Sequence, residues 1–136
     1  MGTVVVGFVD KPEGVAALKR AIEEAKLRDS KLVVVSSHRG GDDFDGEASI
    51  HTDEVLAKVN RYLEGADVEH DVRHLVRGFE PAEDLISIAD ANDADLIVIG
   101  LRRRSPVGKL ILGSNAQRVL LDAPCPVLAV KADPQV

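Results

Sequence analysis

Short runs of apolar, mostly β-branched residues alternate along this chain with longer stretches of helical periodicity. Thr3 to Val9 (TVVVGFV) is apolar and bounded by polar residues, as in a strand covered on both faces. From Pro12 to Leu27 the apolar positions Val15, Leu18, Ile22 and Ala25 fall on one stripe, and Pro12 suits a first helical turn. Leu32 to Ser37 (LVVVSS) repeats the buried-strand pattern. His38 to Ala48 (HRGGDDFDGEA) has no period and reads as a surface loop. Ser49 to Glu64 sets Val55, Leu56, Val59, Tyr62 and Leu63 on one helical face. Val68 to Val76 alternates apolar residues with His70 and His74, which suits an edge strand. Glu80 to Asn92 is a third helix, with Pro81 in its first turn. Asp95 to Ile99 (DLIVI) is a strand, Ser114 to Leu121 a short helix, and Pro126 to Lys131 (PVLAVK) a last strand.

This order predicts an α/β fold: a doubly wound, five-stranded parallel sheet with helices on both faces, in the Rossmann-like strand order 3-2-1-4-5. Parallel neighbours need crossover connections, and these are right-handed almost without exception. In such sheets a ligand sits beyond the carboxyl ends of the strands, where the strand order reverses. With the first strand central, that crevice falls between the loops after Val9 and after Ile99. No repeat, linker or low-complexity stretch divides the chain, and its 136 residues are expected to form one domain.

Composition narrows the ligand. Aromatic residues make up 3 % and the net charge is −6, which argues against stacking platforms for single strands and against a phosphate-backbone partner. No apolar run approaches the roughly 20 residues of a membrane span, and the amino terminus lacks the pattern of a signal peptide. A cytoplasmic protein that binds neither nucleic acid nor membrane is expected. The lone Cys125 has no partner for an internal disulfide and agrees with a reducing compartment.

Against that acidic background, Gly100 to Leu121 (GLRRRSPVGKLILGSNAQRVLL) carries Arg102, Arg103, Arg104, Lys109 and Arg118 and no acidic residue. The segment follows a central strand and runs into a helix amino terminus, where free N–H groups and the helix dipole favour an anion. Gly100, Gly108 and Gly113 permit close backbone approach. Together these features describe a phosphate cradle. Ser114 with Gln117 also spells an S-x-x-Q capping box, which needs no ligand. Neither the P-loop pattern nor G-x-G-x-x-G occurs.

The run DLIVIG, Gly113-Ser114, Arg118-Val119-Leu120 and Ala123-Pro124-Cys125-Pro126-Val127-Leu128 resembles the carboxyl half of the universal stress protein family. VVVGFVD at the start and GFEPAEDLISIA in the middle extend the likeness over the whole chain. The nucleotide-binding branch of that family shows glycine, two residues, glycine, nine residues, then glycine with serine or threonine. Here the first glycine is Gly100 and the last pair is Gly113-Ser114, but the middle position is Arg103. Two outcomes stay open. The Arg103 guanidinium can fold over the phosphates as a bidentate donor, or its bulk can close the cradle.

By the same resemblance Asp10 matches the family aspartate on the adenine and ribose side, with Val9 offering backbone groups to the base. Asp10 is equally readable as a helix N-cap, with Glu13 three residues on. Ser37 falls where the family lines its adenine pocket, and Asn115 would present the next free helical N–H. The resemblance thus implies ATP or another adenine nucleotide, with or without Mg²⁺ and never covalent, held by Val9, Asp10, Ser37, Gly100, Arg103, Gly113, Ser114 and Asn115. It also implies a stress-response sensor or regulator and a homodimer formed through the last strand. The alternatives are a nucleotide-free interaction module closed by Arg103 and a slow ATP hydrolase.

Other constellations are weaker. On a strand, His70 and His74 stand about 13 Å apart, too far for one ion. The acidic stretch Asp42, Asp43, Asp45, Gly46, Glu47 misses the calcium-loop register, since Gly46 at position six puts Gly41 at position one and Thr52 at twelve. No G-x-S-x-G elbow occurs, and neither Asp10 nor Asp122 makes a convincing base or metal ligand for hydrolysis. No catalytic residue and no metal site is expected.

Overall fold

A computed structural model of the chain describes residues 2–39, 46–77, 81–101 and 113–132. The elements are β1 (Thr3–Gly7), α1 (Pro12–Arg28), β2 (Lys31–Arg39), α2 (Gly46–Leu63), β3 (His70–Arg77), α3 (Pro81–Ala91), β4 (Leu96–Leu101), α4 (Ser114–Asp122) and β5 (Val127–Lys131). The strands form one parallel sheet of five in the order β3-β2-β1-β4-β5, as the sequence pattern predicts.

Side chains alternate across the central strands and so feed two separate cores. Val4, Val6 and Phe8 join Leu32, Val34, Leu96 and Val98 beneath α1 and α2, where Ala17, Leu18, Ala21, Val55 and Val59 cover them. Val5 joins Val33, Val35, Ile97 and Ile99 beneath α3 and α4, where Leu85, Ala89 and Val119 cover them. Val4, Val5 and Val6 are each fully buried, which is why this strand reads as a continuous apolar run instead of alternating. Among the described residues, no helix is long and apolar enough to cross a membrane.

Several boundaries differ from the sequence expectation. β1 ends at Gly7 although the apolar run continues to Val9. The Val9 carbonyl accepts the Lys11 N–H at 2.8 Å and turns the chain sharply into α1. β2 continues past Ser37 to Arg39, because its ladder with β3 reaches Arg39 and Arg77, beyond the end of β1. Polar residues can extend a strand there because pairing with β3 satisfies backbone groups along that edge. α2 starts at Gly46, earlier than the glycine- and aspartate-rich composition suggests. Residues 40–45 of the expected loop lie outside the described residues. β4 and β5 begin at Leu96 and Val127. Pro126, which has no N–H, still enters the ladder by accepting the Ile97 N–H at 3.0 Å.

Two glycines set how closely α1 seats against the turn after β1 and against β4. A Cβ at Gly14 would run into the Val9 carbonyl, and one at Gly100 would run into the Glu13 carbonyl. Both contacts are with backbone, so no side-chain rearrangement can relieve them. Gly14→Ala and Gly100→Ala are therefore each expected to lower the unfolding free energy by about 3 kcal/mol, the upper end of typical overpacking. Gly65→Ala is the control: nothing lies within 4 Å and only its φ of 73° resists a side chain. It should cost about 1 kcal/mol, and urea midpoints of the three variants would test the ranking.

Candidate functional site

The strand order reverses at β1, since β2 lies on one side of it and β4 on the other. Beyond the carboxyl ends of β1 and β4 a crevice opens, with about 610 Å³ of non-atom space when its open, solvent-filled mouth is included. Gly7, Phe8 and Val9 line it from β1 and the turn that follows. Val35 comes from β2, and Ile99 and Gly100 from β4. The amino-terminal turns of α3 (Pro81, Ala82) and α4 (Asn115, Ala116) close it, with Leu85 and Val119 at the base. None of these lining residues has an ionisable side chain. Such a space suits a flat, weakly polar group, with the helix ends supplying directional donors.

The crevice brings together only some of the residues singled out from the sequence. Val9, Gly100 and Asn115 line it, and Gly113 and Ser114 stand at the start of the helix that carries Asn115. Arg103 lies outside the described residues, as do Arg102, Arg104, Gly108 and Lys109. Ser37 is in β2, two residues beyond Val35, and its side chain is outside those described. Asp10 does not line the crevice. Its carboxylate accepts a 2.6 Å bond from Lys58 Nζ on α2, and it lines a separate hollow with Lys11, Pro12 and Lys19.

Both capping expectations are corrected. Lys11, not Asp10, occupies the N-cap position of α1, and no side chain caps that end. The chain turns one residue later than Asp10 would require, and the Val15 N–H bonds back to the Lys11 carbonyl at 3.0 Å. At α4 the N-cap is Gly113, Ser114 is the first helical residue, and no side-chain cap forms, so the S-x-x-Q spelling is not a capping box here. The first intrahelical bond of α4 runs from the Gln117 N–H to the Gly113 carbonyl at 3.0 Å. The N–H groups ahead of it therefore lie outside the helical ladder, at the mouth of the crevice.

Asn115 has a second task. Its Oδ1 accepts the Ala82 N–H at 3.4 Å, tying the start of α4 to the start of α3. Arg118 reinforces the same junction. It bonds Glu83 at 2.9 Å and Asp122 at 3.4 Å, so this member of the cationic run is committed to neighbouring carboxylates. The local excess of positive charge is correspondingly smaller than the sequence implies.

With this geometry in place, comparison with known proteins is decisive. The sequence profile of the universal stress protein family matches residues 1–131. The chain belongs to that family. A universal stress protein of Mycolicibacterium smegmatis is 44 % identical over 128 residues, covering 94 % of this chain and 96 % of that one. The universal stress protein of Archaeoglobus fulgidus in complex with dAMP superposes with a TM-score of 0.74 at 34 % identity, covering 96 % of this chain and 98 % of that one. Another universal stress protein, in complex with cAMP, superposes with a TM-score of 0.72 at 25 % identity, covering 97 % and 98 % of the two chains.

The sequence of this universal stress protein does not single out Gly7, Phe8, Val35, Pro81, Ala82, Leu85, Ile99, Ala116 or Val119 as ligand-site residues. Each was readable only as core or as a helix start. The available signal was position, since all stand at strand carboxyl ends or on helices that close over them.

Cys125 packs among the partly buried residues beneath α3 and α4. Burial, then the nearby Asp95 charge, pushes its thiol pKa up. A raised pKa leaves less thiolate at any given pH, and the thiolate is the reactive form. Ellman's reagent at pH 7.5 should therefore modify the native protein more slowly than the urea-unfolded chain, and the native rate should climb only at higher pH. Equal rates in the two states would contradict this assignment.

Proposed function

We propose that this universal stress protein binds an adenine nucleotide in the crevice between β1 and β4 and acts as a sensor or regulator with little or no turnover. The observation that carries the reading is the crevice itself. It is apolar, it sits at the switch point of the sheet, and the uncapped start of α4 opens onto it. An adenine ring suits the apolar walls, and a phosphate suits the N–H groups of Gly113, Ser114 and Asn115. The relatives solved with dAMP and cAMP support the same ligand class. Val9 would meet the base with backbone groups, Asp10 and Ser37 would contribute from the ends of β1 and β2, and Gly100 and Arg103 would meet the phosphates.

Little or no turnover is part of the proposal, and the described walls, lined by residues without ionisable side chains, suit holding a ligand more than acid–base chemistry on it. AMP and ATP are both candidates, with Mg²⁺ accompanying the triphosphate. The reading puts the protein in the cytoplasm, where the thiol of Cys125 stays reduced. It also makes the protein a homodimer. Among the described residues β5 pairs with β4 along one edge only, and a second copy across a two-fold axis would cover the other edge.

Calorimetric titration with AMP and ATP tests the site. Saturable binding is expected, along with adenine compounds released on denaturing the purified protein. If millimolar AMP and ATP change neither heat nor melting temperature, the reading fails. Arg103→Gly should weaken binding about tenfold or more, the usual worth of a charged hydrogen bond. Tighter binding by that variant would instead favour a site closed by arginine. Light scattering should give twice the chain mass of 14.6 kDa. A monomer at that measurement would remove the β5 dimer.

A further inference from the structure

The segment Phe8-Val9-Asp10-Lys11 separates two hollows at the carboxyl end of the sheet. Phe8 and Val9 line the apolar crevice, whereas Asp10 and Lys11 line the second hollow, between the start of α1 and α2. That second hollow is cationic. Lys11, Lys19 and Lys58 surround it, and Asp10 is the sole carboxylate among its lining residues. Lys19 is already engaged over the Tyr62 ring, 5.6 Å from its centroid. Lys58 holds Asp10 at 2.6 Å.

We propose that the Lys58–Asp10 ion pair is an autoinhibitory contact: it keeps the Asp10 carboxylate out of the crevice, and a bound nucleotide has to draw Asp10 away from Lys58. This rests on the nucleotide reading of the crevice. Asp10 directly follows a lining residue, so rotation of its side chain, with a small shift of the turn, reorients the carboxylate without disturbing β1. The anchor of its partner does not yield as easily. Val55 and Val59, on either side of Lys58 along α2, are buried in the core at 3 % and 0 % exposure, which fixes the helix and leaves only the lysine side chain adjustable.

The pair is also exchangeable. Its two side chains are 37 % and 35 % exposed, and ion pairs of that kind shift an equilibrium by only a few fold. A ligand moves such an equilibrium by its differential affinity for the two arrangements. Removing Asp10 from the hollow also takes away the carboxylate among lining residues that include three lysines, which further opposes release. Through this contact α2 restrains the site, and the affinity of the crevice depends on a residue that never touches the ligand.

The test is calorimetric titration of AMP and adenosine into the wild-type protein, Lys58→Met, Lys58→Gln, Asp10→Asn and the double variant Asp10→Asn with Lys58→Met. Adenosine matters because loss of a lysine also weakens phosphate attraction, and a neutral ligand is blind to that effect. Both Lys58 variants should bind adenosine about two- to fivefold more tightly than wild type. In the Asp10→Asn background the Lys58 substitution should change nothing, the mark of an effect transmitted through Asp10. Carbon-13 NMR of the Asp10 carboxyl in the wild-type protein should shift on AMP addition and saturate with the binding curve. Unchanged or weaker adenosine binding by folded Lys58 variants, while wild type still binds AMP, would overturn the proposal and leave the nucleotide site standing. If neither wild type nor any variant binds AMP or adenosine, the nucleotide reading itself falls, and this one with it.

Discussion

The middle strand carries the structure. β1 pairs with β2 along one edge and β4 along the other, and its three consecutive valines, Val4, Val5 and Val6, have no exposed surface at all. A parallel strand cannot be joined to its neighbour by a tight turn, so each connection must cross a face of the sheet. Because the chain winds outward from β1 in both directions, α1 and α2 are sent to one face and α3 and α4 to the other. The two connections on either side of β1 diverge, and the gap they leave is the crevice. The site is thus a by-product of where the most apolar strand had to go.

What shapes the gap is a set of helix beginnings. α1 abuts the turn after β1 through Gly14 and strand β4 through Gly100, backbone to backbone in both cases. α3 and α4 start side by side, joined by the Asn115–Ala82 hydrogen bond and the Arg118–Glu83 ion pair. These two polar links do different work. The ion pair is half exposed and contributes little to stability, while the hydrogen bond satisfies a first-turn N–H of α3 that has no helical acceptor.

Much of this architecture was legible in the residues. The β-branched runs at 3–7 and 96–99 and the apolar stripes of α1 and α3 set type and order, because burial on both faces or on one stripe leaves a clear period. The boundaries were less legible, since Val9 belongs by composition to β1 yet turns out through a backbone bond to Lys11 that composition does not encode. Capping was misread for a related reason. Asp10 and Ser114 are the favoured residue types, but the turn geometry puts Lys11 and Gly113 in the cap positions. Lys58 left no trace at all, standing 48 residues from Asp10 in a helix whose pattern speaks only of its apolar face.

The close seating of α1 has a consequence for how such a site can diversify. Positions 14 and 100 hold no side chain because backbone from another element occupies the space where one would begin. Position 100, part of the crevice lining, is therefore closed to innovation, and so is position 14 in α1. A new ligand preference has to be written on the surrounding walls, at residues such as Val9, Val35 and Asn115.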